Sequence, residues 1–370
     1  MQTLLKNKLI FSKQNNSMAK KKKTLPKDFG DLIDMKDFEA FKRVFDTCDI
    51  NARGGYGKTT ALGFYRIPND FVRWLIENGA DMESVDNYQR TALHQHASLR
   101  SGDISIFVEL GANIHAIDTY GDTPLHFAAG SGFNGTAVAM LIEDGADVKA
   151  LNTYKQTPLG RALSRANNID LPNLLEVSKL LLAADNTITA QMKDAVTRKG
   201  EDFEFHRENF NKEYLEETDA ALNKLYEIFD VPPVKRRIMH DGVSPIITSG
   251  TWQEQYEQLW ELLVPSNGSA KVVQGEVVRI AGKVRDELYR NGGGNWDSDF
   301  KKMFDALLVH FSTANALSHA ELARAEEIVT YIRKNGDGDD DDIHYLCELA
   351  TVWVFRNPNP IVLDKPAYRR

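Results

Sequence analysis

One pattern constrains this 370-residue chain more than any other: a short grammar that recurs every 32 to 34 residues. Its clearest copy starts at Asp118-Thr-Tyr-Gly-Asp-Thr-Pro-Leu-His-Phe-Ala-Ala-Gly130 and closes at Leu141-Ile-Glu-Asp-Gly-Ala-Asp147. A Gly turn comes first, then a short helix opening at Thr123-Pro124, then a second apolar helix. Gly145 stops that helix, as a residue that accepts positive φ can. Asp86-Asn-Tyr-Gln-Arg-Thr-Ala-Leu-His94 with Glu109-Leu-Gly-Ala112 repeats the grammar upstream, and Asn152-Thr-Tyr-Lys-Gln-Thr-Pro-Leu159 repeats it downstream. Thr91 and Thr123 lie 32 residues apart, Thr123 and Thr157 34. A unit this small cannot bury its apolar face alone, so a fixed period specifies a stack in which each repeat covers the next.

Thr123, Pro124, Leu125, His126 and Ala128 spell T-P-L-H-x-A. Together with the period and the closing Gly-Ala, they make residues of about 30–190 resemble ankyrin repeats. The resemblance implies an all-α solenoid, partner binding through the hairpin tips and adjoining concave helices, and a motif histidine that hydrogen-bonds within and between hairpins.

Taken in order, residues 1–28 hold eight Lys and one Asp and read as a basic, disordered leader. Met18, just before Ala19 and Lys20 to Lys23, reads as a start site. Leu32, Phe38, Phe41 and Phe45 then make a helix-period stripe, an N-terminal cap with a polar outer face. Four repeats follow within 29–187: Ile50–Met82, 83–117, 118–150 and Leu151–Asp185, hereafter repeats 1 to 4. In repeat 1 Gly63 replaces the motif histidine, which predicts a loose seat on its neighbour. In repeat 4 the extra residues Asn167 to Pro172 predict a loop that bulges between two helices. Helical stripes without the motif over 188–230 read as a diverged C-terminal cap. Pro232, Pro233, Asp241, Gly242 and Pro245 mark a linker over 231–248. Residues 249–370 carry five amphipathic stripes, at 251–263, 276–290, 299–312, 322–332 and 343–355, and read as a helical bundle domain.

Three motifs that suggest chemistry lose to structural readings. Ala52-Arg-Gly-Gly-Tyr-Gly-Lys-Thr59 fits a relaxed phosphate-loop pattern, but it aligns with a repeat hairpin, and Pro68 cuts the following segment short. Asp337, Asp339, Asp341 and Glu348 fall at calcium-loop spacing, yet Asp342 stands where the sharp turn needs Gly. The same acids suit a helix N-terminus. His94 occupies the same motif place as His126, and the other histidines lack ligand spacing. Cys48 and Cys347 stand alone, as in a reducing compartment. No catalytic, cofactor or metal assignment is made.

A column remains. Tyr56, Tyr88, Tyr120 and Tyr154 align at the hairpin tips, flanked by Lys58, Arg90, Asp122 and Gln156. These eight residues form the candidate partner-binding surface, because Tyr gives a large contact area at low rotamer cost. Thr119, Tyr120 and Asp122 are the places the scaffold leaves free. The net charge is −8, and removing the +7 of residues 1–28 leaves −15 on the rest. That balance disfavours nucleic acid and anionic membrane and favours a protein partner with a basic surface. The expectation is a cytoplasmic, non-catalytic protein–protein interaction protein, an inhibitor or immunity-type protein in its most specific form. The alternative is an enzyme or effector acting through the C-terminal helical domain.

Overall fold

The computed structural model describes residues 20–369. Met18 and most of the leader lie outside them. The chain divides into two compact units, Met1–Ala195 and Val196–Arg370. Among the described residues both are predominantly helical, with one small sheet and an isolated β-bridge.

In the first unit the described part of the leader is ordered, not disordered as expected. Lys22–Thr24 (β1) pairs in parallel with Cys48–Gly54 (β2), which pairs antiparallel with Thr59–Thr60 (β3). The cause is a buried anchor, Leu25, and paired charges: Lys23 Nζ lies 2.9 Å from Asp49, and Lys21 Nζ donates to the Phe45 carbonyl at 2.7 Å. Phe29–Met35 (α1) and Phe38–Thr47 (α2) form the N-terminal cap, with Phe29, Phe41 and Phe45 in its core. The phosphate-loop lookalike is the β2–β3 hairpin, followed by the single turn Ala61–Gly63.

Each repeat then adds a helix pair. Repeat 1 has the turn at Ala61–Gly63 and Asn69–Glu77 (α3). Repeat 2 has Ala92–Ala97 (α4) and Ser105–Glu109 (α5). Repeat 3 has Pro124–Phe127 (α6), widened into a π-turn over Ala128–Gly132, and Gly135–Glu143 (α7). Repeat 4 has Pro158–Arg165 (α8) and Leu171–Ala184 (α9). Thr91, Thr123 and Thr157 occupy the N-caps. After α7 the turn comes at Gly145, at φ +91°.

Two expectations about the stack change. Repeat 1 lacks its histidine, but His96 of repeat 2 reaches back and bonds the Leu62 carbonyl at 3.0 Å. The insertion in repeat 4 does not bulge. Its Asp170 accepts from Asn167 N at 3.0 Å, pairs with Arg100 of repeat 2, and leads directly into α9, whose first residue, Leu171, is fully buried.

The boundary between the units falls inside Ala190–His206 (α10), so most of 188–230, including Lys212–Phe229 (α11), groups with the second unit. Residues 231–248 contain no helix, yet they are pinned. Arg237 donates to the Trp260, Glu261 and Val264 carbonyls at 2.7–2.9 Å, and His240 N donates to Leu262 O. Arginine here supplies the partners that a helix C-terminus otherwise lacks. The five stripes become Trp252–Leu263 (α12), Val273–Asn291 (α13), Ser298–Phe311 (α14), His319–Asn335 (α15) and Asp340–Arg356 (α16). Thr251 and Ser318 form capping boxes with Glu254 and Glu321. Asp339, from the calcium-like run, caps α16 by accepting from Asp341 N and Asp342 N. Trp353, Phe304, Phe311 and Ile280 are fully buried in the core. Among the described residues, no helix is long and apolar enough to cross a membrane.

Candidate functional site

In repeats 2, 3 and 4 the tip is built by one Asx residue. Asp86 Oδ1 accepts from Tyr88 N and Arg90 N at 2.8 and 2.9 Å. Asp118 Oδ1 accepts from Tyr120 N and Asp122 N at the same distances. Asn152 Oδ1 accepts from Tyr154 N and Gln156 N at 3.0 and 2.9 Å. The side chain thereby imitates a turn's backbone acceptor. The chain crosses into positive φ at Gln89, Gly121 and Lys155, directly after each tyrosine.

Successive tips are joined in register. Thr119 N donates to Tyr88 O at 3.0 Å, and Thr153 N donates to Tyr120 O at 2.9 Å. Below them the motif histidines tie each helix to the next turn. His94 Nε2 lies 3.1 Å from Asp122 O, and His126 Nε2 lies 3.0 Å from Gln156 O. Because a carbonyl only accepts, Nε2 carries the proton and Nδ1 accepts from Thr91 N or Thr123 N, each at 3.2 Å. Both rings are fully buried. Burial pushes the His94 pKa down to about 4 and lowers that of His126, so both are neutral at pH 7.

This ladder places three of the four tyrosines together. Tyr88, Tyr120 and Tyr154 are 39%, 48% and 66% exposed, and the last two stack with centroids 6.2 Å apart. All three line a groove of about 700 Å³ between the tips and the inner helices, with Phe127 and Arg161 also in its lining. Tyr56 stands apart, 95% exposed. In repeat 1 the carbonyl that receives the next tip's amide, Asn87 N at 2.9 Å, belongs to Gly57. The extra residue before Thr60 therefore moves Tyr56 out of the column, and exposed Lys58, at φ +57°, with it.

The flanking residues differ from their expected roles. Asp122 is not free: only 4% exposed, it accepts from Arg161 Nε through Oδ2 and from Asn152 Nδ2 through Oδ1, both at 2.9 Å. Arg161, equally buried, also donates to His126 O and Ser131 Oγ and lies over the Phe127 ring. Arg90 is half-buried against Asp86 and Tyr88. Gln156 is half-buried with its Oε1 3.4 Å from Asn152 Nδ2. Sequence reasoning missed Arg161, Arg165 and the buried Asp118 as groove residues. The Asx column at 86, 118 and 152 was the signal, since its spacing equals the repeat period.

The second unit holds a different polar cluster. Glu276 and Arg279 are fully buried and paired at 2.6 Å. Tyr368 Oη donates to Glu276 at 2.7 Å and Ala270 N donates to it at 3.0 Å. Beside it a cavity of about 510 Å³ lies between α14 and residues 361–368, with His310, Lys302 and Tyr368 in its lining.

Residues 64–152 and 96–192 match the family model for ankyrin repeats (3 copies). No curated protein matches the chain.

Proposed function

With residues 64–192 built as ankyrin repeats, we propose that this chain is a non-catalytic recognition protein whose repeats hold a protein partner in the groove of Tyr88, Tyr120 and Tyr154. The observation that carries this reading is the exposure of three aromatic rings in one concave surface whose backbone is fixed by the scaffold's own bonds. Rigid tyrosines bind with little ordering cost. The partner's basic surface is supported by the −15 carried outside residues 1–28. Masking such a surface, as an inhibitor or immunity-type protein does, is the form of activity this charge favours, in the cytoplasm.

Crosslinking of the full chain in its own cells, followed by identification of the attached protein, tests the reading. Tyr88→Ala with Tyr120→Ala should lose that adduct while keeping the melting temperature of the repeats. An unchanged adduct sinks the assignment. The cavity beside His310 favours a second reading, an enzyme or effector in residues 249–370. Loss of the cellular activity in His310→Ala, with partner capture intact, would move the function there.

A further inference from the structure

Repeats 2 and 3 build the same tip and then differ at one residue. In repeat 2, Asp86 uses Oδ2 to accept Arg90 Nε and Nη2 at 2.9 and 2.7 Å and Gln95 Nε2 at 2.7 Å. The Arg90 guanidinium lies 4.7 Å from the centroid of the Tyr88 ring. Carboxylate, guanidinium and aromatic face make a closed set within one repeat. In repeat 3, Asp118 and Tyr120 hold the same places, but the residue four beyond Asp118 is another acid, Asp122. Asp118 is 6% exposed and lines the groove. Its Oδ1 makes the turn, and among the described residues no donor reaches Oδ2. Arg161 bonds Asp122 rather than Asp118, and Arg165, which lines the same groove, makes no bond to Asp118 among the described residues. Burial, and after it the Asp122 charge, push the Asp118 carboxyl above its usual range, against the turn's own amides and the charge of Arg161, which is bonded elsewhere.

We propose that repeat 3 is completed from outside: an arginine of the protein partner enters the groove, pairs with Asp118 and stands against Tyr120, as Arg90 does with Asp86 and Tyr88. This rests on the recognition role proposed for the groove and names the side chain that it takes. A guanidinium suits the place because it is planar, weakly hydrated, able to meet a carboxylate with two parallel bonds and able to lie on an aromatic face. An ammonium offers a point charge without the plane.

The test uses the full chain with ¹³C-labelled tyrosines, titrated with N-acetyl-arginine-methylamide and with its uncharged isostere, N-acetyl-citrulline-methylamide. The arginine compound should shift the Tyr120 ring signals and saturate, with at least tenfold higher affinity than the citrulline compound. Asp118→Asn should lower that affinity at least tenfold, while Glu143→Gln, outside the groove, should not change it. The Asp118→Asn chain keeps its turn, because Asn152 makes the same two bonds in repeat 4. Equal response to the two compounds, no saturation, or undiminished arginine binding by Asp118→Asn overturns the proposal. If the Tyr88 and Tyr120 variants still lose the crosslinked partner in that case, the recognition reading survives without the arginine.

Discussion

The two units satisfy their buried polar groups by different rules. In the repeats one bond is copied at nearly constant offset: His94 to Asp122 spans 28 residues and His126 to Gln156 spans 30. Each of these histidine links joins neighbouring repeats, while the Arg100–Asp170 pair skips from repeat 2 to repeat 4. In the second unit the buried links occur once and reach far, from Glu276 to Tyr368 across 92 residues and from Gln274 to the Asn357 and Asn359 carbonyls across 83 and 85. Damage to a histidine link stays between two repeats, whereas Glu276, paired with Arg279 within α13, gains its Tyr368 bond, and Gln274 its carbonyls, only when the C-terminal segment has returned to α13.

The largest expected break comes from the bundle. Arg279→Met leaves Glu276 charged and buried without its cation, which costs about 3–5 kcal/mol. Urea unfolding followed by amide exchange should show residues 249–369 opening first, with the repeats unmoved. Equal loss in both units would refute the separation of rules.

A pH series sharpens the contrast. The folded His94 pKa is depressed to about 4 from 6.5, so the unfolded chain takes up the proton first as pH falls. Its contribution, about 3 kcal/mol at full extent, is present above pH 6.5 and lost between there and pH 4. His96 and His126 shift the same way through burial, and Asp118, raised by burial, acts in the opposite sense. In the bundle, His310 is likewise lowered, while Glu276 is held down against its burial by Arg279 and loses its contribution only as pH falls below about 4.5. The repeats should therefore show the steeper loss between pH 6.5 and 4.5. His94→Gln should flatten that slope, and a slope unchanged in this variant would contradict the assignment. Smaller again, Tyr368→Phe removes one donor to Glu276 and should cost about 1.5 kcal/mol, read as a lower urea midpoint for the bundle alone.

This difference also decides what was legible. The helices of both units could be read, because apolar spacing and caps are local signals. The three groove tyrosines were legible because they share the repeat period. Tyr56 was misplaced by the one-residue lengthening of its hairpin, which shifts the backbone register without changing the letters. Asp122 was misread as free because its partner, Arg161, belongs to the next repeat at a place where no other repeat has an arginine. Glu276 carried no signal at all: an acid within an apolar stripe reads as exposed, and its tyrosine lies 92 residues away with no period to announce it. Likewise, the prolines of 231–248 announce the loss of helix but not the bonds Arg237 makes there.

The smallest expected effects lie within the repeats and compare like with like. Asp86→Asn and Asp118→Asn are the same substitution at the same structural position, and either asparagine keeps the turn in the manner of Asn152. At Asp86 the change strips Arg90 and Gln95 of their acceptor, breaks a partly buried charge-assisted pair, and should cost about 1–2 kcal/mol at pH 7. At Asp118 no hydrogen-bonded cation is lost, only the through-space attraction of Arg161, and an acid whose ionised form is disfavoured by burial and by Asp122 is replaced by a neutral side chain. Asp118→Asn should therefore be neutral or stabilising at pH 7, with its advantage shrinking as pH falls and the wild-type carboxyl takes up its proton. Paired urea midpoints at pH 7 and pH 5 measure this directly. A loss at Asp118 equal to that at Asp86 would mean that the carboxylate already has its cation within the chain, and the tip of repeat 3 would then be closed.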